Sequence, residues 1–301
     1  METGERMEIH FEIGDRCMLK CRHCSSMASE AGDVMKYSEQ DMTRLLKSIN
    51  GPKEVFLTGG EPLLYENLEA LLEYLQEETE DIKLGLFTTG IIANKEKDIK
   101  SISEEYASTL AKSGLKVCYV SVYSHLEKEH DWMTVSPGSF KLLIESIKHL
   151  QKAGVEIRFN CVVTKKNMES FVEIIKLAET MDVAEVRMLK LIKQGRAEEC
   201  WEEIGITESQ YRKVILDVMQ RQNRIRITAS GAVDILPCRQ AGCTECPAGK
   251  GLIYVTNEGE LYPCASVKRK EKYRIANITE SDIDKKREVF LEHIPGTMLC
   301  C

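Results

Sequence analysis

Six strand-like runs separated by five helix-like runs constrain this chain more than any other feature. Glu8 to Ile13, Glu54 to Thr58, Lys83 to Thr88, Lys116 to Val122, Val155 to Thr164 and Ala184 to Leu191 are short apolar stretches bounded by turn residues, the pattern of buried strands. Between them, helical spacing of apolar residues predicts helices over Ser38 to Ile49, Tyr65 to Glu78, Ser103 to Lys112 and Ser139 to Lys152, and a last one capped by Asn167 and running to Thr180. Ser38 is placed as an N-cap. Gly114 and Gly154 close two of these helices. Regular alternation of this kind implies parallel βαβ units. The fold class is therefore α/β, with the functional site expected at the carboxyl ends of the strands.

Beyond about residue 195 the pattern changes. Thr207-Glu208-Ser209-Gln210 carries a capping-box signature for a helix to about Arg221. Arg224 to Thr228 reads as a short strand, Leu252 to Thr256 and Glu260 to Tyr262 as a hairpin through Asn257-Glu258-Gly259, and Ser281 to His293 as a helix. The organisation expected is one unit over 1–197 and a smaller α+β module over 198–301. A chain of 301 residues can bury a full core without staples. A net charge of -7 argues against a general nucleic-acid binder. The one basic run, Lys268-Arg269-Lys270-Glu271-Lys272, reads as a solvated surface turn. Without a signal peptide or a long apolar span, the expected setting is the cytoplasm, with no membrane partner.

Twelve cysteines are many for such a setting, where clustered cysteines bind metal or do catalysis. Cys17, Cys21 and Cys24 follow the first strand with C-x3-C-x2-C spacing. Three thiolates on one short loop lack the fourth ligand of a closed zinc site. They would leave one iron of a four-iron cluster open. Cys238, Cys243, Cys246 and Cys264 form a second group, and Cys300 and Cys301 a third. A zinc ribbon around the hairpin and an iron–sulfur cluster are both open to the second group. Strand alternation turns Cys118 and Cys161 outward, under the helices, if Ser121 and Asn160 point inward.

The cysteine loop, with His23 as the aromatic before its last cysteine, resembles that of the radical S-adenosylmethionine (SAM) superfamily. Thr58-Gly59-Gly60-Glu61-Pro62 after the second strand resembles the family's glycine-glycine-glutamate motif, and Thr88-Thr89-Gly90 its turn after the third. Ser121, Asn160 and the run Arg187 to Leu191 followed by Gly195-Arg196-Ala197 extend the likeness over residues 8–197. The resemblance implies a partial (β/α)6 TIM-like barrel. It implies a 4Fe-4S cluster on Cys17, Cys21 and Cys24, with SAM at the open iron and a cofactor site of His23, Gly59, Gly60, Glu61, Thr88, Ser121, Asn160 and Leu191. Relatives often carry an arginine shortly after the His130-Asp131 pair; this chain has Trp132, Met133 and Thr134. The run from Cys246 to Gly249, and that from Thr256 to Cys264, resemble the twitch and SPASM modules, which hold an auxiliary iron–sulfur cluster. That likeness implies Cys243, Cys246 and Cys264 as ligands. Cys238, Cys300, Cys301 or an open site would complete the set, and Cys238 or Cys301 would be the candidate catalytic hydrogen donor.

The activity so implied is reductive cleavage of SAM to a 5′-deoxyadenosyl radical that abstracts hydrogen from a substrate. An electron donor such as flavodoxin or ferredoxin would be a partner. Epimerisation, thioether formation or carbon–carbon cross-linking of a ribosomally made peptide is one reading, although only residues 1–7 precede the first strand, too few for a leader-binding domain. A dehydrogenase or cofactor-biosynthesis enzyme acting on a small molecule is the second, and a non-enzymatic zinc- or cluster-binding module the third.

Overall fold

The computed structural model describes residues 6–93, 98–230 and 247–293. In chain order the elements are β1 (Met7–Glu12), α1 (Glu39–Ser48), β2 (Lys53–Thr58), α2 (Leu68–Glu78), β3 (Ile82–Thr88), β4 (Ile91–Ala93), β5 (Ile99–Ser101), α3 (Glu104–Lys112), β6 (Leu115–Ser121), α4 (Glu127–Thr134) and α5 (Ser139–Lys152). Then follow β7 (Glu156–Val163), α6 (Phe171–Thr180), β8 (Glu185–Lys190), α7 (Arg196–Glu199), α8 (Trp201–Ile204), α9 (Glu208–Met219), β9 (Arg226–Ala229), β10 (Leu252–Val255), β11 (Glu260–Tyr262), β12 (Ala276–Asn277) and α10 (Ile283–His293). The six expected strands are present as β1, β2, β3, β6, β7 and β8, each parallel to its neighbour. Helix starts follow local chemistry. Ser38 and Thr207 each form a reciprocal capping box, with Asp41 and Gln210 respectively. Asn167 is a correction. Helix α6 begins only at Phe171. The Asn167 side chain instead accepts from the Thr164 N–H and donates to the Tyr123 and Val162 carbonyls, so it ties two strand ends together.

The sheet is larger than six strands. Its order is β12-β11-β10-β1-β2-β3-β6-β7-β8-β9. Strand β9 adds parallel to β8, and β10 adds parallel to β1. The hairpin of β10 and β11 thus extends the sheet at the β1 side. One face carries Ile9, Phe11, Val55, Leu57, Leu86, Val120, Phe159 and Met188 into the main core against the helices. Cys118 and Cys161 lie fully buried in that same core, where alternation puts them.

The other face is polar and curls upon itself. Arg187 on β8 donates to both carboxylate oxygens of Glu8 on β1, at 2.7 and 2.9 Å. Arg158 on β7 does the same to Glu54 on β2, at 3.1 Å each. Five strand spacings separate β1 from β8, roughly 24 Å in a flat sheet, so direct contact between them requires strong curvature. Tyr119 on β6 joins the two pairs, accepting from Arg187 and Arg158. Its ring stacks on Phe87 at 4.9 Å.

Burial alone would raise the Glu8 carboxyl, but the Arg187 guanidinium and His10 override it and hold Glu8 far below the usual carboxylate range. Glu12 is likewise lowered against burial, by Lys268 above all. A carboxyl depressed in the folded state adds stability above its unfolded pKa and loses it as pH falls. Urea midpoints should therefore hold near neutrality and drop steadily below about pH 4.3. Replacing the Glu8–Arg187 pair by Gln and Met should flatten part of that slope, and an unchanged slope would refute the assignment.

Candidate functional site

The glycine turn after β2 packs directly onto the cysteine loop after β1. The Gly60 N–H donates to the Gly14 carbonyl at 2.9 Å and the Glu61 N–H to the Arg16 carbonyl at 2.7 Å. A Cβ on Gly59 would lie 1.9 Å from the Gly14 oxygen, and one on Gly60 would lie 2.1 Å from the Arg16 oxygen. Gly59 also sits at φ +132. Both positions therefore exclude any side chain. Among the described residues, the carbonyls of Gly59 and Gly60 accept no hydrogen bond, so they remain acceptors for a ligand.

A chain of contacts links that turn to the next. The buried Glu61 carboxylate accepts from the Thr88 hydroxyl at 2.5 Å, the Thr89 N–H at 2.7 Å and the Thr89 hydroxyl at 2.6 Å. Burial pushes the Glu61 carboxyl up, and these donors oppose it. The Thr88 hydroxyl also accepts from the Gly90 N–H. Glu61 and Thr88 thus lock the second strand's exit to the third's, and Glu61 does not line the cavity.

The far side of the cysteine loop is held by the exit from β8. The Arg196 N–H donates to the Cys24 carbonyl, and the guanidinium donates to the carbonyls of Cys21 and Ala28. Gly195, at φ +60, leaves no room for a Cβ against the Cys24 oxygen at 2.6 Å. In the sequence Gly195 and Arg196 carry no role beyond their motif, yet a glycine followed by a cation at a strand exit can both approach and clamp a loop. The stretch after His130 braces the loop too. The Met133 carbonyl accepts from Arg22 N–H, and the Trp132 carbonyl from Arg22 Nε.

Cys17, Cys21, Cys24, His23, Gly59, Gly60, Thr88, Ser121, Asn160, Leu191 and Cys264 all line one cavity of about 1390 Å³. Its polar wall includes Tyr119, Arg158 and Arg187. Cys238, Cys243, Cys246, Cys300 and Cys301 lie outside the described residues. The Asn160 Oδ1 is buried and accepts no hydrogen bond among the described residues. An orphaned buried acceptor of this kind calls for a ligand donor or an ordered water. His23 stacks near Tyr123, with ring centroids 4.6 Å apart. Burial, then Arg196 and His130, pull the His23 ring down to about 4, so it is neutral at neutral pH. Burial, then Glu61, push the Cys17 thiol up to about 12, and burial raises Cys21 as well. A cationic metal centre reverses that preference, because coordination deprotonates a thiol outright. Among the described residues no three His, Cys, Asp or Glu side chains converge as a single ion requires. A four-iron cluster, with each thiolate on a different iron, suits a wider spacing. Three soft ligands of the loop, the carbonyls of the adjacent glycine turn and the Asn160 amide oxygen on β7 thus line a single cavity.

The model of the Radical SAM superfamily matches residues 11–178. The chain is 23% identical over 278 residues to the AdoMet-dependent heme synthase of Nitratidesulfovibrio vulgaris, covering 85% of this chain and 72% of that protein. It is also 23% identical to the mycofactocin maturase MftC of Mycolicibacterium smegmatis, over 84% of this chain and 63% of the maturase. The crystal structure of Streptococcus suis SuiB bound to S-adenosylmethionine superposes with a TM-score of 0.67 at 18% identity, over 93% of this chain and 65% of SuiB. The chain thus spans a little under two thirds of the maturase and of SuiB. At that identity the SuiB likeness shows a shared α/β fold with a mostly parallel sheet. Among the described residues no helix is long and apolar enough to cross a membrane.

The Gly60→Ala substitution is expected to lower stability by about 1–3 kcal/mol through overpacking, and Gly59→Ala by more because of its added backbone strain. Urea denaturation of the metal-free chain measures both. A wild-type midpoint in either variant would contradict the close approach of the two loops.

Proposed function

The chain belongs to the radical SAM superfamily, whose members are enzymes using a 4Fe-4S cluster and SAM, and on that premise we propose that Cys17, Cys21 and Cys24 hold the cluster and that SAM occupies the cavity beside them. The observation that carries this assignment is that three thiols and the Asn160 oxygen, unpaired among the described residues, line one cavity. With both cofactors bound, one electron cleaves SAM to methionine and a 5′-deoxyadenosyl radical. The chain's own residues bind and orient. The Gly59 and Gly60 carbonyls accept from the amino group. Asn160 and Ser121 accept from ribose hydroxyls. The neutral His23 ring offers a flat, uncharged wall, and Leu191 contributes apolar cover that excludes water. Glu61 acts one step back, holding the two turns in place through Thr88, which stands at the cavity wall.

The substrate in this reading is a ribosomally made peptide, modified by epimerisation, thioether formation or cross-linking. Support comes from the likeness to a maturase, and from a cavity larger than SAM alone would fill. The heme synthase, a relative at the same identity named for a small-molecule product, supports a small-molecule substrate as the second reading. Cys264, with Cys243 and Cys246, would hold an auxiliary iron–sulfur cluster in a twitch-like module. Cys238, Cys300, Cys301 or an open site would complete that cluster, and Cys238 or Cys301 would serve as hydrogen donor. Flavodoxin or ferredoxin would supply the electron.

Anaerobic reconstitution tests these assignments. The brown protein should contain about eight irons per chain, falling to about four in Cys264→Ala and to about four in the Cys17→Ala/Cys21→Ala/Cys24→Ala variant. Only the latter should lose reductive SAM cleavage in the absence of substrate. A colourless, zinc-loaded wild-type protein would falsify the cluster assignment, and unchanged iron in Cys264→Ala would remove the auxiliary one. Offered a peptide encoded beside its gene, the enzyme should change that peptide's mass or stereochemistry. Turnover of small molecules only would favour the second reading.

A further inference from the structure

Lys268, in the basic run expected to be solvated, is buried, with only 3% of its surface exposed. Arg269 to Lys272 remain exposed as expected. The Lys268 ammonium donates to Glu12 Oε1 at 2.6 Å, to Ser26 Oγ at 2.7 Å and to the Tyr254 hydroxyl at 3.1 Å. Its three N–H groups thus meet three acceptors. Tyr254 in turn donates to Glu12 at 2.6 Å, and the Asn257 N–H also reaches Glu12. The partners matter for where they lie in the chain. Glu12 ends β1, five residues before Cys17. Ser26 lies two residues after Cys24. A single ammonium therefore bridges the entry and the exit of the cysteine loop. It comes from the segment that carries Cys264, four residues upstream of it. Ser26, Lys268 and Cys264 line the same cavity as the loop's thiols.

We propose that Lys268 is a positioning residue that tethers the exit of the cysteine loop, so that SAM binding at Cys17, Cys21 and Cys24 depends on the arm that carries Cys264. This rests on the cluster and SAM assignment above. The loop's exit is held by Arg196 at the Cys24 and Ala28 carbonyls and by backbone bonds of Ser29 to Asp15 and Cys17. The Lys268 bond to Ser26 is the side-chain restraint on the span between Cys24 and Ala28, and removing it loosens that span beside the third thiol. The loop's sulfurs and the glycine-turn carbonyls then no longer hold one fixed spacing, and a ligand that must meet both pays the ordering entropy on binding. The arm is in turn fixed by the parallel pairing of β10 with β1. A displacement of the Cys264 segment is therefore transmitted to the loop's exit through Lys268.

Two variants separate a positioning role from a purely structural one. Ser26→Ala removes only the bond to the loop exit and leaves the Glu12–Lys268 pair intact. Glu12→Gln with Lys268→Met removes both charges together, so no unpaired charge is left buried. The full chain and both variants would be reconstituted anaerobically. Three measurements follow: the thermal midpoint of the apo chain, the dissociation constant for SAM by equilibrium dialysis, and the electron paramagnetic resonance spectrum of the reduced cluster with and without SAM. Ser26→Ala should fold normally, bind SAM about tenfold more weakly, and show a changed SAM-induced spectral shift. The double variant should share the last two effects. SAM affinity and spectra like those of wild type in both folded variants would overturn the proposal. So would failure of Ser26→Ala to fold, which would show the contact holding the fold and not the loop. If the wild-type chain itself takes up no cluster or no SAM, the fault lies with the underlying assignment, and this inference falls with it.

Discussion

Two backbone hydrogen bonds, from Gly60 to Gly14 and from Glu61 to Arg16, govern the geometry of the site. They form only because β1 and β2 run parallel in a register that pairs Glu12 with Thr58, bringing both strand exits to the same height. They also require that neither Gly59 nor Gly60 carry a side chain. From that junction the restraints propagate outward. Glu61 reaches the third strand's exit through Thr88 and Thr89. On the opposite side, Gly195 and Arg196 close onto the cysteine loop from the end of β8. The loop is therefore pinned by contacts from the exits of β2 and β8, which is how a flexible, ligand-bearing segment acquires a defined shape.

The polar face beneath serves a different purpose. Glu8 with Arg187, and Glu54 with Arg158, connect strands far apart in sheet order. Buried ion pairs add little net stability relative to apolar packing, but an unpaired member is strongly unfavourable. Such pairs penalise any sheet curvature that separates them. Tyr119 couples the two pairs through its hydroxyl and carries its ring against Phe87. The outer face needs no such device, because Phe11, Leu57, Val120 and Phe159 pack there by the ordinary alternation of a buried strand.

Legibility in the sequence followed the range of the interaction. The capping boxes at Ser38 and Thr207 are contacts between residues three apart, and both were readable. The outward direction of Cys118 and Cys161 followed from a period of two within one strand. Asn167 misled because an asparagine before an apolar run caps a helix in one context and bridges strand ends in another. Which occurs depends on Tyr123, 44 residues away. The basic run misled for the same kind of reason: only pairing with Glu12, 256 residues distant, makes burial of Lys268 affordable.

The sequence by itself determined the βαβ alternation, the residues of the cysteine loop, and the two glycines that permit its contact with the next turn. All of these depend on local patterning and on the size of a missing side chain. Only the tertiary structure decided that β9 and β10 join the same sheet, that Glu61 and Thr88 engage each other, and that Arg196 and Lys268 restrain the loop. Each of these is a meeting of segments distant in the chain, set by sheet register and curvature. The composition of a segment does not encode which distant group will lie opposite it.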